Sequence, residues 1–340
     1  MRAFQLLPLS LVLLIQCASA SSGDRLPGFQ HCLSHCRVTA CSVSSQFTPS
    51  LAMRFTRWTC DDDCKYTCMH ALTDAASVKG ERIHQFYGKW PFWRFLGMQE
   101  PAAVLFSLLN LAAHLHGLQR VRRQVDSRSP MRPFLILFAY VGINAWLWSS
   151  VFHTRDTPVT EKLDYFSAGA SIMYSFFLAC VRVFGFYPTA TLSRHVHTSS
   201  PRLLRPLAFL YSALFAIHVL YLTLRPSFDY GYNIRASVAV GMLHNLVWLL
   251  YSLPIASIRL FPGHMRGFRP RYARRPAVAV TLTMLAMSLE LLDFPPWRRV
   301  LDAHALWHLA TVPLIVYWYD FLVQDARDEG WDMEKDRLVL

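Results

Sequence analysis

Charge is scarce in this chain. Only 16% of its 340 residues are Asp, Glu, Lys or Arg, where a soluble protein carries about a quarter. That scarcity argues against a soluble protein, which at this length would need two domains. Acidic residues are the scarcer kind, 22 against 34 basic ones, for a net charge of +12. On a soluble protein such an excess would point to nucleic acid. Here the arginines lie between long hydrophobic runs, so membrane topology explains them and no nucleic-acid partner is expected. No Asn-x-Ser/Thr sequon occurs, which excludes N-glycosylation. No internal repeat is present, which excludes a solenoid or propeller.

What the chain has in quantity is apolar sequence, 53% of its residues, gathered into runs of membrane-spanning length. The N-terminus reads as a secretory signal over 1–20. Arg2 gives a basic start, Leu6 to Ile15 an apolar core, and Ala18-Ser19-Ala20 a small-residue cleavage site, with cleavage expected after Ala20. The apolar core is too short for a permanent first membrane helix. Leu14-Ile15-Gln16-Cys17 is no lipoprotein box, because Gln16 is too large for the small residue needed there.

Of eight cysteines, Cys17 leaves with the signal and Cys180 lies in a hydrophobic run. The other six fall between residues 32 and 68, in a segment destined for an oxidising lumen, and imply three disulfides with fifteen possible pairings. They form two triplets, Cys32-x3-Cys36-x4-Cys41 and Cys60-x3-Cys64-x3-Cys68. Spacings of four place successive cysteines on one helical face. Two helices stapled face to face are expected, a zinc site being the alternative.

Seven hydrophobic segments follow, at about 101–119, 132–152, 163–184, 204–224, 234–255, 276–294 and 304–324, each near the ~20 residues a helix needs to cross a bilayer. A cleaved signal makes the mature N-terminus luminal and the C-terminus cytosolic. The distribution of arginine tests this independently. The loops then assigned to the cytosol hold Arg120, Arg122, Arg123, Arg128 and Arg132; Arg182, Arg194, Arg202 and Arg205; and Arg259, Arg266, Arg269, Arg271, Arg274 and Arg275. The luminal connections hold only Arg155 with Lys162, Arg225, and Arg298 with Arg299. The two arguments agree. The expected architecture is an all-α membrane protein, a seven-transmembrane helix bundle (98–324) with a small disulfide-rich N-terminal luminal module (21–97) and a cytosolic tail (325–340). That tail ends Asp336-Arg337-Leu338-Val339-Leu340, neither a KDEL-type nor a dilysine signal.

Ionisable residues inside membrane helices are expensive and often functional. Ser149 and His153 are four apart at the luminal end of the second segment, hence on one face. Asp164 opens the third segment at the same end, after Thr157-Pro158, a cap and first-turn pair. His304 and His308, again four apart, open the seventh. One topology thus brings a serine, three histidines and an aspartate to one membrane depth. Three histidines are a known catalytic zinc set that leaves a fourth position for water, and zinc lowers the pKa of that water to roughly 7. Asp164 is then placed to position the water and shuttle its proton, and Ser149 to hold the water or donate to a developing oxyanion.

Blander readings stand beside this one. Alone, the His304/His308 pair would be interfacial, Ser149 a helix-packing serine, and Asp164 a first-turn acid favoured by the helix dipole. A Ser149-His153-Asp164 hydrolase triad leaves His304 and His308 unused, which favours zinc. Ser150 rivals Ser149, but its offset to His153 is three rather than four. His114 and His116 point to different faces; His218 and His244 are single histidines. Glu290 and Asp293 lie near the same luminal level, either supporting the site or reaching water.

Several blocks carry a resemblance: Cys60-Asp61-Asp62-Asp63-Cys64-Lys65-Tyr66-x-Cys68, Gly88-Lys89-Trp90-Pro91-Phe92, Gln99-Glu100-Pro101, Asn144-Ala145-Trp146, the stretch from Ser149 through Asp164-Tyr165-Phe166, Phe228-Asp229-Tyr230-Gly231-Tyr232-Asn233, and Leu289-Glu290-Leu291-Leu292-Asp293-Phe294-Pro295-Pro296 running into His304-Ala305-x-Trp307-His308. Over nearly the whole mature chain the sequence resembles the Per-like family, the post-GPI-attachment phospholipases. That family is similar to alkaline ceramidases and adiponectin receptors, seven-helix membrane proteins with a serine, an aspartate and three zinc-binding histidines. Ser149, Asp164, His153, His304 and His308 match that pattern. The resemblance implies removal of the unsaturated sn-2 acyl chain from the lipid of GPI-anchored proteins, with zinc as cofactor, in the Golgi membrane or alternatively the endoplasmic reticulum. Two other functions remain open: a ceramidase-like amidase using the same five residues, and a seven-helix receptor or lipid-binding chaperone with structural zinc.

Overall fold

The structure, a computed structural model, describes residues 21–42, 47–187, 201–253 and 260–331. The expected signal segment, Cys17, Arg194, Arg259 and the last residues of the tail lie outside the described residues. Among those described there is no β-sheet, only helices and three isolated bridges.

The chain divides into two compact units. Among the described residues, one comprises 21–42, 47, 59–91 and 220–238; the other comprises 48–58, 92–187, 201–219, 239–253 and 260–331. In the first, α1 (Pro27–Ala40) packs on α3 (Cys60–Lys79). The helices are antiparallel, because the cysteines pair in reverse order: Cys32 with Cys68, Cys36 with Cys64, and Cys41 with Cys60. The face-to-face staple expected from the triplets is what forms. Thr59 and Asp62 close a capping box at the start of α3, and Gly80 ends it at φ 68°. The buried core is small, Phe29, Leu33, Cys64, Cys68 and Phe86, so covalent bonds do what burial alone does poorly in so small a module. Arg37 and Asp61 add an ion pair across the two helices at 2.5 Å, and Lys65 meets the same carboxylate at 2.8 Å. These two partners, Arg37 first, hold the Asp61 carboxyl down to about 2.

The second unit begins with the short α2 (Leu51–Phe55). The long helices are α4 (Pro101–Gln124), α5 (Arg132–Thr154), α6 (Pro158–Val183), α7 (Leu204–Leu224), α8 (Tyr230–Ser252), α9 (Arg275–Leu292) and α10 (Ala303–Ala326). The end of α7 and the start of α8 fall in the first unit. Each long helix matches one expected span. Six of them are long and apolar enough to cross a membrane by length and composition; α9, with 18 residues, coincides with the remaining span. The third begins at Pro158 rather than 163, because Thr157 caps it through Thr160 and Pro158 takes the first helical position.

The packing order that matters is α6 on α5, α5 on α4, α4 on α10 and α10 on α9. Helix α4 touches both α5 and α10, so the ends of those two helices meet beside it. Two glycines allow the close approach. A Cβ on Gly142 of α5 would overlap the His114 ring, and one on Gly117 of α4 would overlap Tyr319 of α10. The core between the helices includes Leu118, Val121, Leu135, Ala139, Trp248 and Phe321. Towards the far ends of α6 and α10, a buried ion pair joins them: Arg182 donates to Asp325 through Nε and Nη2 at 2.6 and 2.7 Å.

A candidate active site of three histidines

The end of α5 and the start of α10 supply the histidines. Ser149 and His153 are one turn apart at the end of α5, and His304 and His308 occupy the first two turns of α10. Asp302 starts α10 by accepting a hydrogen bond from the Ala305 N–H at 2.8 Å. The chain leading into α4 is pinned along the end of α5: the Gln99 and Glu100 N–H groups donate to the Thr154 and His153 carbonyls, each at 3.1 Å.

His153, His304 and His308 each bring a ring nitrogen within 4.8 Å of the other two. Behind each ring stands an oxygen that holds its Nδ1. Glu100 Oε2 is 3.1 Å from His153, Glu290 Oε2 is 2.7 Å from His304, and Ser107 Oγ is 3.0 Å from His308. A carboxylate only accepts, so Nδ1 of His153 and of His304 carries the proton and Nε2 presents its lone pair. These two Nε2 atoms are 3.3 Å apart. In neutral rings two lone pairs that close repel, and either a proton on one Nε2 or a cation reached by both relieves this. Tetrahedral zinc with nitrogen ligands at about 2.0–2.1 Å requires ligand nitrogens about 3.3 Å apart. The donor set therefore fits zinc in ligand type and outer hydrogen bonds, and the His153–His304 pair fits it in spacing.

Ser149 lies in the same constellation but not against His153. Its Oγ is 3.1 Å from Ser107 Oγ, which in turn meets His308. With Nδ1 of His153 on Glu100, the bonds are not those of a Ser-His-Asp relay. Ser150 turns back to the Leu147 carbonyl at 2.7 Å. Asp164 is half-buried on α6. The bond from Asn144 Nδ2 to Ser167 Oγ at 3.0 Å sets the antiparallel register of α5 and α6, and that register puts Asp164 within about one turn of the level of Ser149. The neighbouring Tyr165 meets Phe152 edge-on.

The remaining sequence candidates take other roles. His114 bonds the Tyr319 hydroxyl at 2.9 Å. His244 accepts from the Trp248 indole at 3.0 Å. His218 stacks near Phe215. Asp293 ends α9, whereas Glu290 supports His304 directly.

Glu100 and Ser107 were not foreseen as site residues. The signal for Ser107 was present: Ser107, Asn110 and His114 stand at i, i+3 and i+7 of an apolar run, a polar stripe on one helical face. All three are buried. Asn110 Nδ2 donates to the His308 carbonyl at 2.8 Å, and Thr311 Oγ1 donates to the same carbonyl at 2.7 Å. These bonds fix α10 just ahead of Pro313, which lacks the N–H that would continue its ladder. Trp146 meets His308 edge-on, and beyond it a largely apolar cavity is lined by Phe138, Leu178, Leu314 and Trp318, with Ser171, Ser175, His244 and Thr311 among its polar groups.

The fold and site together define an all-α multi-pass membrane protein with a three-histidine centre, two of its rings buried and His304 partly exposed. Comparison with known proteins makes this more particular. The profile described as the Per1-like family matches residues 50–326, and the chain belongs to that family. It is 44% identical over 313 residues to the zebrafish (Danio rerio) protein named GPI-specific phospholipase A2-like PGAP3, covering 91% of this chain and 92% of that one. The human (Homo sapiens) protein of the same name is 41% identical over 313 residues, with 91% and 90% covered. The Schizosaccharomyces pombe protein named Protein PER1 homolog is 39% identical over 321 residues, with 93% and 90% covered.

Proposed function

We propose that this protein is a zinc-dependent acyl-ester hydrolase that removes the sn-2 chain from the lipid of GPI-anchored proteins. The observation that carries the reading is the centre itself, three imidazoles facing one point with a hydrogen-bonding oxygen behind each. The names of the relatives supply the substrate class. His153, His304 and His308 would hold the metal. Zinc supplies Lewis acidity and an activated water when bound.

The chain's own residues do the rest. Glu100, Glu290 and Ser107 fix the ring orientations. Ser149 donates its hydroxyl hydrogen to the ester oxygen as negative charge develops there. Asp164 takes the proton of the attacking water and returns it to the departing glycerol oxygen. The largely apolar cavity beyond Trp146 receives hydrocarbon. A site at the start of α10 and the end of α5 lies where a lipid ester sits, near the membrane surface. In this reading that surface is luminal, the C-terminus is cytosolic and the compartment is the Golgi.

The test is acyl release from a diacyl GPI by the purified protein, with metal content measured on the same sample. Full activity in a metal-free preparation would sink the zinc reading. Faster acyl release from ceramide than from the GPI would favour the amidase. Retained cellular function in a Ser149→Ala, Asp164→Asn double variant would favour a receptor or chaperone.

A further inference from the structure

Four arginines on the side of the bundle that carries the histidines lie over tryptophan rings. The Arg94 and Arg155 guanidiniums are 4.4 and 4.7 Å from Trp58, Arg299 is 4.9 Å from Trp93, and Arg298 is 4.8 Å from Trp297. Hydrogen bonds join these pieces to each other and to the site. The Trp58 indole donates to the Gly97 carbonyl at 2.8 Å, and the Trp93 N–H donates to the Arg299 carbonyl at 3.0 Å. The chain from Gly97 runs directly into Gln99 and Glu100, which are bonded along the end of α5. Arg155 stands two residues beyond His153, and Arg299 five residues before His304.

Two features set this strip apart from an ordinary interfacial belt of aromatics. The first is where the charge lies. Arginines otherwise crowd the opposite helix ends, as in Arg120, Arg122, Arg123, Arg274 and Arg275, so cations gathered beside the histidines run against the topological trend. The second is backbone strain. Leu96, Arg298 and Arg299 adopt φ of 47°, 51° and 58°, a region unfavourable for any residue with a Cβ and concentrated at functional sites.

A guanidinium seated on an indole directs its N–H edge sideways, where it can grip a phosphate at two points. Tryptophans favour the head-group level of a bilayer. In a glycerophospholipid the phosphodiester and the sn-2 ester occupy neighbouring glycerol carbons, so a phosphate site must lie within a few bonds of the hydrolytic centre. We propose that Arg94, Arg155 and Arg299, seated on Trp58 and Trp93, bind the phosphodiester of a glycerophospholipid head group and so set the sn-2 ester over the histidines. Arg155 donates to the Asp156 carbonyl at 3.2 Å, which helps to fix its orientation. The function of the strip rests on the hydrolase reading; its ligand chemistry does not.

The experiment uses the full-length protein in phosphate-free detergent micelles. Retention of phosphatidylinositol is compared with retention of diacylglycerol of the same chains by native mass spectrometry, with acyl release recorded in parallel. The wild type is expected to prefer phosphatidylinositol by about tenfold or more, the effect of one or two charge-assisted hydrogen bonds. The Arg94→Gln, Arg155→Gln double variant loses the preference and keeps diacylglycerol binding, and the matching lysine variant recovers part of it. An unchanged preference in the glutamine variant overturns the proposal, as does an equal loss of both lipids. Repeating the measurement in phosphatidylcholine nanodiscs separates the sources. A preference that survives assigns the site to the substrate's own phosphodiester, and one that vanishes assigns it to bulk phospholipid. If the wild type releases no acyl chain from any substrate while the arginine effect holds, the hydrolase reading fails and the phosphodiester site stands.

Discussion

Two polar clusters sit in the same helical unit, one buried around Asp325 and one partly buried around the histidines, and they are built on opposite plans. Around Asp325, opposite charges meet directly. Arg182 donates to both carboxylate oxygens, the Tyr251 hydroxyl donates to one of them at 2.6 Å, and the Trp331 indole donates to the Asp325 carbonyl at 2.8 Å. Arg182 also reaches the Leu260 carbonyl at 2.8 Å. The cluster is closed on itself and binds elements together. Around the histidines the anionic and hydroxyl oxygens stand behind the rings, and the inner nitrogens face one another. A cluster arranged to hold the fold puts its partners in contact; one arranged to hold a cation keeps its centre for that cation.

The sharpest way to break this contrast is to remove an inner ligand. His304→Ala or His308→Ala should abolish acyl release and bound zinc while the helical circular dichroism persists; a variant with normal metal content would undo the centre. Asp325→Ala should do the reverse. It leaves Arg182 buried without its carboxylate and should cost about 3–5 kcal/mol of stability, read as a lowered unfolding midpoint, with metal stoichiometry intact in the protein that folds. Glu100→Gln is subtler, because an amide still meets His153 but no longer fixes its tautomer. Metal affinity should fall by about 10–100-fold, seen in chelator competition, with little change in the unfolding of the metal-free protein.

The smallest effect belongs to the cysteine-stapled module. Arg37 and Lys65 lower the Asp61 carboxyl, so Asp61 stabilises the module above its unfolded value of about 3.9. That contribution is lost as the pH falls towards about 2. The group is well exposed, so after solvent screening the effect should stay below about 1 kcal/mol. Asp61→Asn should lower stability slightly at pH 7 and flatten the acid limb of the unfolding curve, so that the two proteins converge as the pH falls towards about 2.

The fold was largely legible because its signals are local. Apolar run lengths gave the helices, Thr157-Pro158 gave a helix start, and two cysteine triplets gave the staple. The disulfide partners were not legible, since spacing fixes a helical face but not the direction of its neighbour. That His153, His304 and His308 come together could be expected from i, i+4 spacing and a shared depth. Glu100 could not, because an acid before Pro101 looks like any helix boundary until the backbone is seen running along the end of α5. Ser107 was readable in principle from the polar stripe on α4. The role given to Asp164 rests on its level along α6, which the register with α5 supplies.

Glu100 has one further consequence. The same residue opens α4, bonds the end of α5 through its backbone and steadies His153 through its side chain. Under the zinc reading, filling the centre and closing the first two membrane helices against each other become one equilibrium. Each tenfold rise in free metal above its dissociation constant would then add about 1.4 kcal/mol to the folded state. The quantity of folded protein would follow the metal supply of the compartment where it is made, so a cell short of zinc would lose the protein itself before it lost turnover per molecule.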